Sequence, residues 1–334
     1  MRLSVVLLAL VAVGGLLIAA CGGDDTEEAD PTAAPELTQE DRTYRDQVRV
    51  AFRGSDVNFQ RFEALLAQSF SSPEAILSAL VEAGAGTTFD PVLEGLEKLE
   101  PPERFAADHE TFVDGVRAMV AVDQGIGAAA ADEDIVGFEL GNVDLFLAEI
   151  ALRLELSDEA CRFVSALREF CEPENELPGG EYGADLNAVM RTFAAEFSPR
   201  SGVLNEGPGG VFAVLTFVPR YTTEELAELY GAVEADTMAA LADASSAVDD
   251  LEPPGEFKAD HEILQSWLEE TSGIFGALFQ ATGEDDRNER GSLQEQGRIA
   301  FCTAADDFSP EARPLVGLVF DIPPGGGPED EFCP

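Results

Sequence analysis

Leu99-Glu100-Pro101-Pro102 leads through Phe105 to Ala107-Asp108-His109-Glu110, and Leu251-Glu252-Pro253-Pro254 leads through Phe257 to Ala259-Asp260-His261-Glu262. His109 and His261 stand 152 positions apart, as does every other matched pair, and they are the two histidines of the chain. Self-similarity at one fixed spacing marks a duplicated structural unit. Each Pro-Pro pair reads as a break between helices, because proline clashes with a helix behind it and is preorganised for one ahead. In the helix that follows, Phe105, His109, Phe112 and Val116 share one face, and Phe257, His261, Leu264 and Leu268 share the same face of the copy. The expected fold class is all-α, with two tandem, related helical-bundle domains.

Working outward, helical periodicity starts near Thr38, with Tyr44, Val48 and Phe52 at four-residue spacing and a break or kink at Gly54-Ser55-Asp56. Ser72-Pro73 reads as a helix start, with serine as cap and proline at the first helical position. Ile76, Leu77 and Leu80 follow, then a Gly-rich break over Gly84 to Thr88 and a short helix with Val92 and Leu96. Asp132-Glu133-Asp134 precedes another helix, and Ser157 caps the last one of the unit. Pro173 to Gly183 reads as a linker. The expected domains are 38–175 and 184–334. Phe70-Ser71-Ser72-Pro73 is similar to Phe197-Ser198-Pro199 and suggests equivalent positions. Two apolar runs, Val211 to Val218 and Leu315 to Phe320, fit strands or equally buried loop or helix segments, which periodicity does not separate.

The N-terminus reads as a targeting segment: Arg2, an apolar stretch from Leu3 to Ala20, then Ile18-Ala19-Ala20-Cys21 before Gly22-Gly23-Asp24-Asp25. Those residues resemble the lipobox of bacterial lipoproteins. The resemblance implies cleavage after residue 20 and a diacylglyceryl group on Cys21. A membrane-spanning anchor is the alternative reading of the same run. Residues 21–37 form an acidic tether with Pro31 and Pro35, spanning on the order of 20 Å if flexible. Either reading puts the body of the protein outside the cytoplasm, held at the membrane through Cys21 or through the anchor.

The net charge is −45, with 65 acidic against 20 basic residues. A field of that sign repels phosphate backbones and anionic headgroups, which argues against nucleic-acid binding and against direct docking on acidic lipid. Hydrophobic residues make up 45% of the chain, enough for real cores. Four cysteines besides Cys21 read as two disulfides in an oxidising compartment, and duplication favours Cys161–Cys171 and Cys302–Cys333. The first pairing requires the helix to end near Leu167. Ten residues of unbroken helix span about 15 Å, against a Cα limit of about 7 Å for a disulfide.

The candidate metal set is His109, His261, Asp108, Asp260, Glu110 and Glu262, since imidazole and carboxylate suit a transition metal. Adjacent residues diverge on a helix, so one copy alone cannot close on an ion. The competing reading makes each histidine a hydrogen-bonded core residue. No zinc-protease motif occurs, because Val113 and Gln265 stand where its second histidine belongs, and no nucleophile elbow or phosphate loop is present. Asp286 to Gly297 starts like a calcium loop but has Arg290 at a ligand position. No catalytic residues are assigned.

The Leu-Xaa-Pro-Pro-Xaa-Xaa-Phe-Xaa-Xaa-Xaa-His segment resembles one found in small helical bacterial lipoproteins that lack an assigned function. The expected function is therefore a non-enzymatic extracytoplasmic lipoprotein, a duplicated binding or interaction module with no cofactor and an unidentified protein or small-ligand partner. The alternative is a metal-handling or metal-sensing lipoprotein using the two histidines.

Overall fold

The computed structural model describes residues 37–66, 72–164, 177–204, 222–284 and 286–320. Among these the regular structure is helical, with no strand. They form two compact units, one from residues 37–164 and one from 177–320.

Unit 1 opens with α1 (Gln39–Phe52), started by a capping box in which Thr38 and Asp41 bond each other's backbone N–H groups. Tyr44, Val48 and Phe52 lie one turn apart and are all buried. The expected break is a single 3₁₀ turn, Arg53–Ser55, before α2 (Asp56–Leu66). Ser72 caps α3 (Pro73–Ala83), which ends on Gly84 in the left-handed region at φ 106°. Next come α4 (Asp90–Leu96), the Pro-Pro turn, α5 (Ala106–Ala131), α6 (Ile135–Glu155) and the single turn α7 (Asp158–Cys161). A three-residue connection folds α6 back along α5.

Unit 2 consists of α8 (Glu181–Leu204), α9 (Thr223–Asp249), α10 (Lys258–Gly283), α11 (Arg287–Asp307) and α12 (Arg313–Phe320). Here α8 packs on α9 and α12, and α10 packs on α9 and α11.

The repeat extends to helix boundaries. Both α5 and α10 have 26 residues, both α6 and α11 have 21, and each begins and ends 152 positions from its counterpart. Asp134 and Asp286 cap the second helix of each pair with their side chains. The Pro-Pro turns match too: Phe105 N–H donates to the Pro102 carbonyl and Phe257 N–H to Pro254, both at 2.9 Å.

Packing differs between the units in compensating ways. A Cβ on Gly115 would meet Leu152 Cδ1 at 2.6 Å, so unit 1 has a glycine opposite a leucine. The equivalent residues of unit 2 are Trp267 and Ala304, both in its core, which places the large side chain on the other helix. Unit 1 breaks α3 from α4 where unit 2 runs the unbroken α9. At that break Asp123, 4% exposed, accepts from the N–H groups of Gly86 (3.3 Å) and Thr88 (2.5 Å). Its equivalent is Phe275, which needs no such partners.

Some expectations require correction. The second domain begins before residue 184, because Tyr182 on α8 is already a core residue. Pro73 starts a helix with Ser72 as its cap, whereas Pro199 lies inside α8, so the two Ser-Pro segments are not equivalent. Of the readings left open for the run from Leu315 to Phe320, the helical one holds, since it belongs to α12. The Val211 to Val218 run lies outside the described residues. Among the described residues no helix is long and apolar enough to cross a membrane. The segment from Leu3 to Cys21 lies outside them.

Candidate functional site

The repeated Asp-His pair sits in the first turn of α5 and of α10. Consecutive residues on a helix point about 100° apart, so the two side chains reach different neighbours. Asp108 faces the start of α7: its Oδ1 accepts from Ser157 N–H at 2.8 Å and its Oδ2 from Ser157 Oγ at 2.9 Å. Asp260 accepts from Ser309 in the same way, at 2.7 and 2.9 Å. Each serine then accepts from the backbone N–H three residues on, Ala160 or Ala312. One carboxylate thus fixes the serine that caps the last helical segment.

The imidazole faces the other way, to the first helix. Tyr44 Oη lies 3.0 Å from His109 Nδ1, and Tyr182 Oη lies 3.2 Å from His261 Nδ1. With the imidazole neutral and its proton on Nε2, the phenol donates and Nδ1 accepts. Around this bond the rings pack tightly. Tyr44 stacks on Phe105 at 5.8 Å, and Tyr182 lies 5.8 Å from Phe257. Phe163 adds an edge-on contact to Phe105 at 4.9 Å. Tyr44 and His261 are buried, and His109 is half-buried.

Burial sets the electrostatics. It holds both imidazoles below the ordinary histidine value, opposed by Glu110 at His109 and by Asp249 and Glu262 at His261. Burial, with Asp260 as a lesser cause, pushes Tyr182 up to about 12. Tyr44 rises for the same reasons, with Asp108 in the second role. Both phenols therefore stay protonated and available as donors.

A third cross-link also recurs. Arg49 Nε donates to the Phe163 carbonyl at 3.1 Å, and Asn187 Nδ2 donates to the Leu315 carbonyl at 3.4 Å. In unit 1 an ion-pair relay is added: Arg104 pairs with Asp41 at 3.4 Å and with Glu159, while its guanidinium covers the Phe105 ring at 4.5 Å. Unit 2 has Glu256 and Glu311 in place of Arg104 and Glu159, so the relay belongs to unit 1.

The tyrosines and serines of these clasps escape a reading focused on the histidines. The serine signal is present in the chain: Ser157-Asp158-Glu159-Ala160 and Ser309-Pro310-Glu311-Ala312 match at three of four positions at the 152-residue spacing. Tyr44 and Tyr182 are 138 apart, as are Val48 and Leu186. Unit 2 therefore carries extra residues between its first helix and its Pro-Pro turn, and one fixed offset hides the tyrosines.

Of the candidate metal set, each Asp-His pair is engaged within its own unit, and Glu110 and Glu262 are exposed. Among the described residues, no three His, Cys, Asp or Glu side chains gather in a metal-holding group. Cys161 is buried at the end of α7 and Cys302 is half-buried on α11, while Cys171 and Cys333 lie outside the described residues. By position Cys161 corresponds to Arg313 and Cys302 to Ile150, so the two cysteine pairs are not copies of each other.

A cleft of about 430 Å³ opens beside the first clasp, between α1 (Gln39, Glu40, Thr43, Tyr44, Gln47) and the Pro-Pro turn (Glu100, Pro102). Comparison with protein-family models, curated proteins and solved structures gives no match.

Proposed function

We propose that this chain is a non-enzymatic, extracytoplasmic lipoprotein, anchored through a lipid on Cys21, whose two helical units form a binding or interaction module for a protein or small ligand. The observation that carries this reading is the use of the repeated Asp-His pair. In both copies the carboxylate holds a helix-capping serine and the imidazole holds a buried tyrosine, so the repeated polar groups brace the units. The strong negative charge favours a cationic or basic partner over an anionic one. Cys161–Cys171 and Cys302–Cys333 pair within their own units. The end of α7 at Cys161 supports the first pairing, because the ten-residue helix that would hold the two sulfurs apart does not continue.

Elemental analysis and thermal unfolding of the full chain and of His109→Gln and His261→Gln test this reading. Bracing histidines predict no stoichiometric metal and a lower midpoint in each variant. Stoichiometric metal that disappears in both variants, with the stability of the metal-free protein unchanged, would replace this reading with the metal-handling one.

A further inference from the structure

Each unit fastens its first helix to its histidine helix through one phenol–imidazole bond, and the direction of that bond depends on the protonation of the imidazole. Tyr44 is 1% exposed and Tyr182 7% exposed. Among the described residues the imidazole is the hydrogen-bond partner of each phenol. With the imidazole neutral and its proton on Nε2, the phenolic hydrogen goes to Nδ1. Once Nδ1 carries a proton it must donate, the phenol oxygen becomes the acceptor, and the phenolic hydrogen loses its imidazole partner. A stranded buried donor is what such sites avoid.

We propose that the two Tyr–His pairs are acid-releasable clasps: protonation of His109 frees α1 from α5, and protonation of His261 frees α8 from α10. The pair recurs in both units together with Phe105/Phe257 and Asp108/Asp260, while other neighbours differ. Arg104 became Glu256 and Phe163 became Leu315, while tyrosine and histidine stayed together across two different offsets. In unit 1 release would also move one wall of the cleft between α1 and the Pro-Pro turn. The clasp is independent of which ligand the chain binds.

The elements about His109 carry Asp41 on α1, Arg104 in the turn before α5, Asp108 and Glu110 on α5, and Glu159 on α7. Arg104 pairs with both Asp41 and Glu159, which leaves that cluster one negative charge, and Asp108 is held by Ser157. Near His261 stand Asp249 at the end of α9, bonded by Gln265 at 2.7 Å, then Asp260, held by Ser309, and Glu262. These carboxylates favour the imidazolium, yet burial outweighs them at both sites. A histidine depressed in the folded state keeps its full contribution above about 6.5, the unfolded value, and loses it as the pH falls toward the folded value.

The test is site-resolved amide hydrogen exchange on the full chain in detergent at pH 7.5 and 5.0, corrected for intrinsic rates, with imidazole titration followed by NMR. Exchange in 39–52 and 181–204 should rise at least tenfold at the lower pH, tracking two histidine titrations below 6.5. His109→Gln does not titrate, so it should remove the acid response of 39–52 and leave that of 181–204, with each unit serving as the other's control. If His109→Gln does not fold, the wild-type titrations decide alone. Exchange unchanged between the two pH values, a histidine titrating at or above 6.5, or an acid response of 39–52 surviving in His109→Gln would each overturn the proposal.

Discussion

The Asp-His dipeptide illustrates how neighbours on a helix divide their labour. Their side chains diverge by about 100°, so one residue grips a serine and the next a tyrosine. The costs of removing them are separable. Truncating His109 or His261 to Ala should destabilise by about 1–3 kcal/mol, through a small cavity and a stranded phenol, and Gln should cost less because it keeps an acceptor and much of the volume. Chemical denaturation of each variant against wild type measures this. Tyr44→Phe and Tyr182→Phe should each cost about 1 kcal/mol, because the ring packing survives and one hydrogen bond is lost. Asp260→Ala should cost more than Asp108→Ala in the same assay. Asp260 is 6% exposed whereas Asp108 is partly open, so water replaces the lost acceptor more readily at Ser157. Equal costs would mean that the two carboxylates are equally solvated.

At the scale of elements, the two units solve one packing problem differently. Unit 1 interrupts its second helical stretch and anchors the loop on Asp123, and the interruption requires close backbone contact. A Cβ on Gly127 would lie 2.7 Å from both the Ala85 carbonyl oxygen and Gly86 Cα. Backbone cannot step aside, so Gly127→Ala should cost about 1–3 kcal/mol despite alanine's better helix propensity. At Gly115 the nearest obstacle is Leu152 Cδ1 at 2.6 Å, which a rotamer change can move, with Leu152 Cβ behind it at 3.0 Å. Gly115→Ala should therefore be the milder change, nearly balanced by the propensity gain of about 1 kcal/mol. The order of the two unfolding midpoints checks this, and the reverse order would place the rigid contact at Leu152.

For the whole molecule, charge and anchoring dominate. A net charge of −45 makes like-charge repulsion a standing cost of the folded state, and salt screens it with a Debye length near 10 Å at 0.1 M. The thermal midpoint should rise as NaCl increases from 10 to about 150 mM, and a midpoint flat across that range would show that the charges are already neutralised locally. On the proposed lipid anchor, Cys21→Ser should move the protein from the membrane fraction to the soluble extracytoplasmic fraction, because the hold is assigned to acyl chains on that residue. Retention of the Cys21→Ser protein in the membrane would point to an uncleaved anchor spanning from Leu3 to Ala20.

The all-α class, the break at each Pro-Pro pair and the equivalence of the two histidine helices were legible in the sequence. These follow from local rules: helical periodicity, proline sterics and one conserved spacing. The identity of the histidine's partner was not legible, since nothing local links Tyr44 to His109 across 65 residues, and the change of offset from 152 to 138 hides that both copies make the same bond. Nor could the sequence show that Asp108 and Asp260 hold serines, or that Gly115 and Leu152 exchange sizes with Trp267 and Ala304. Those pairings exist only once helices distant in sequence lie side by side. There, buried polar groups must find partners and side chains must fill space without overlap, and tertiary packing alone decides which residues meet.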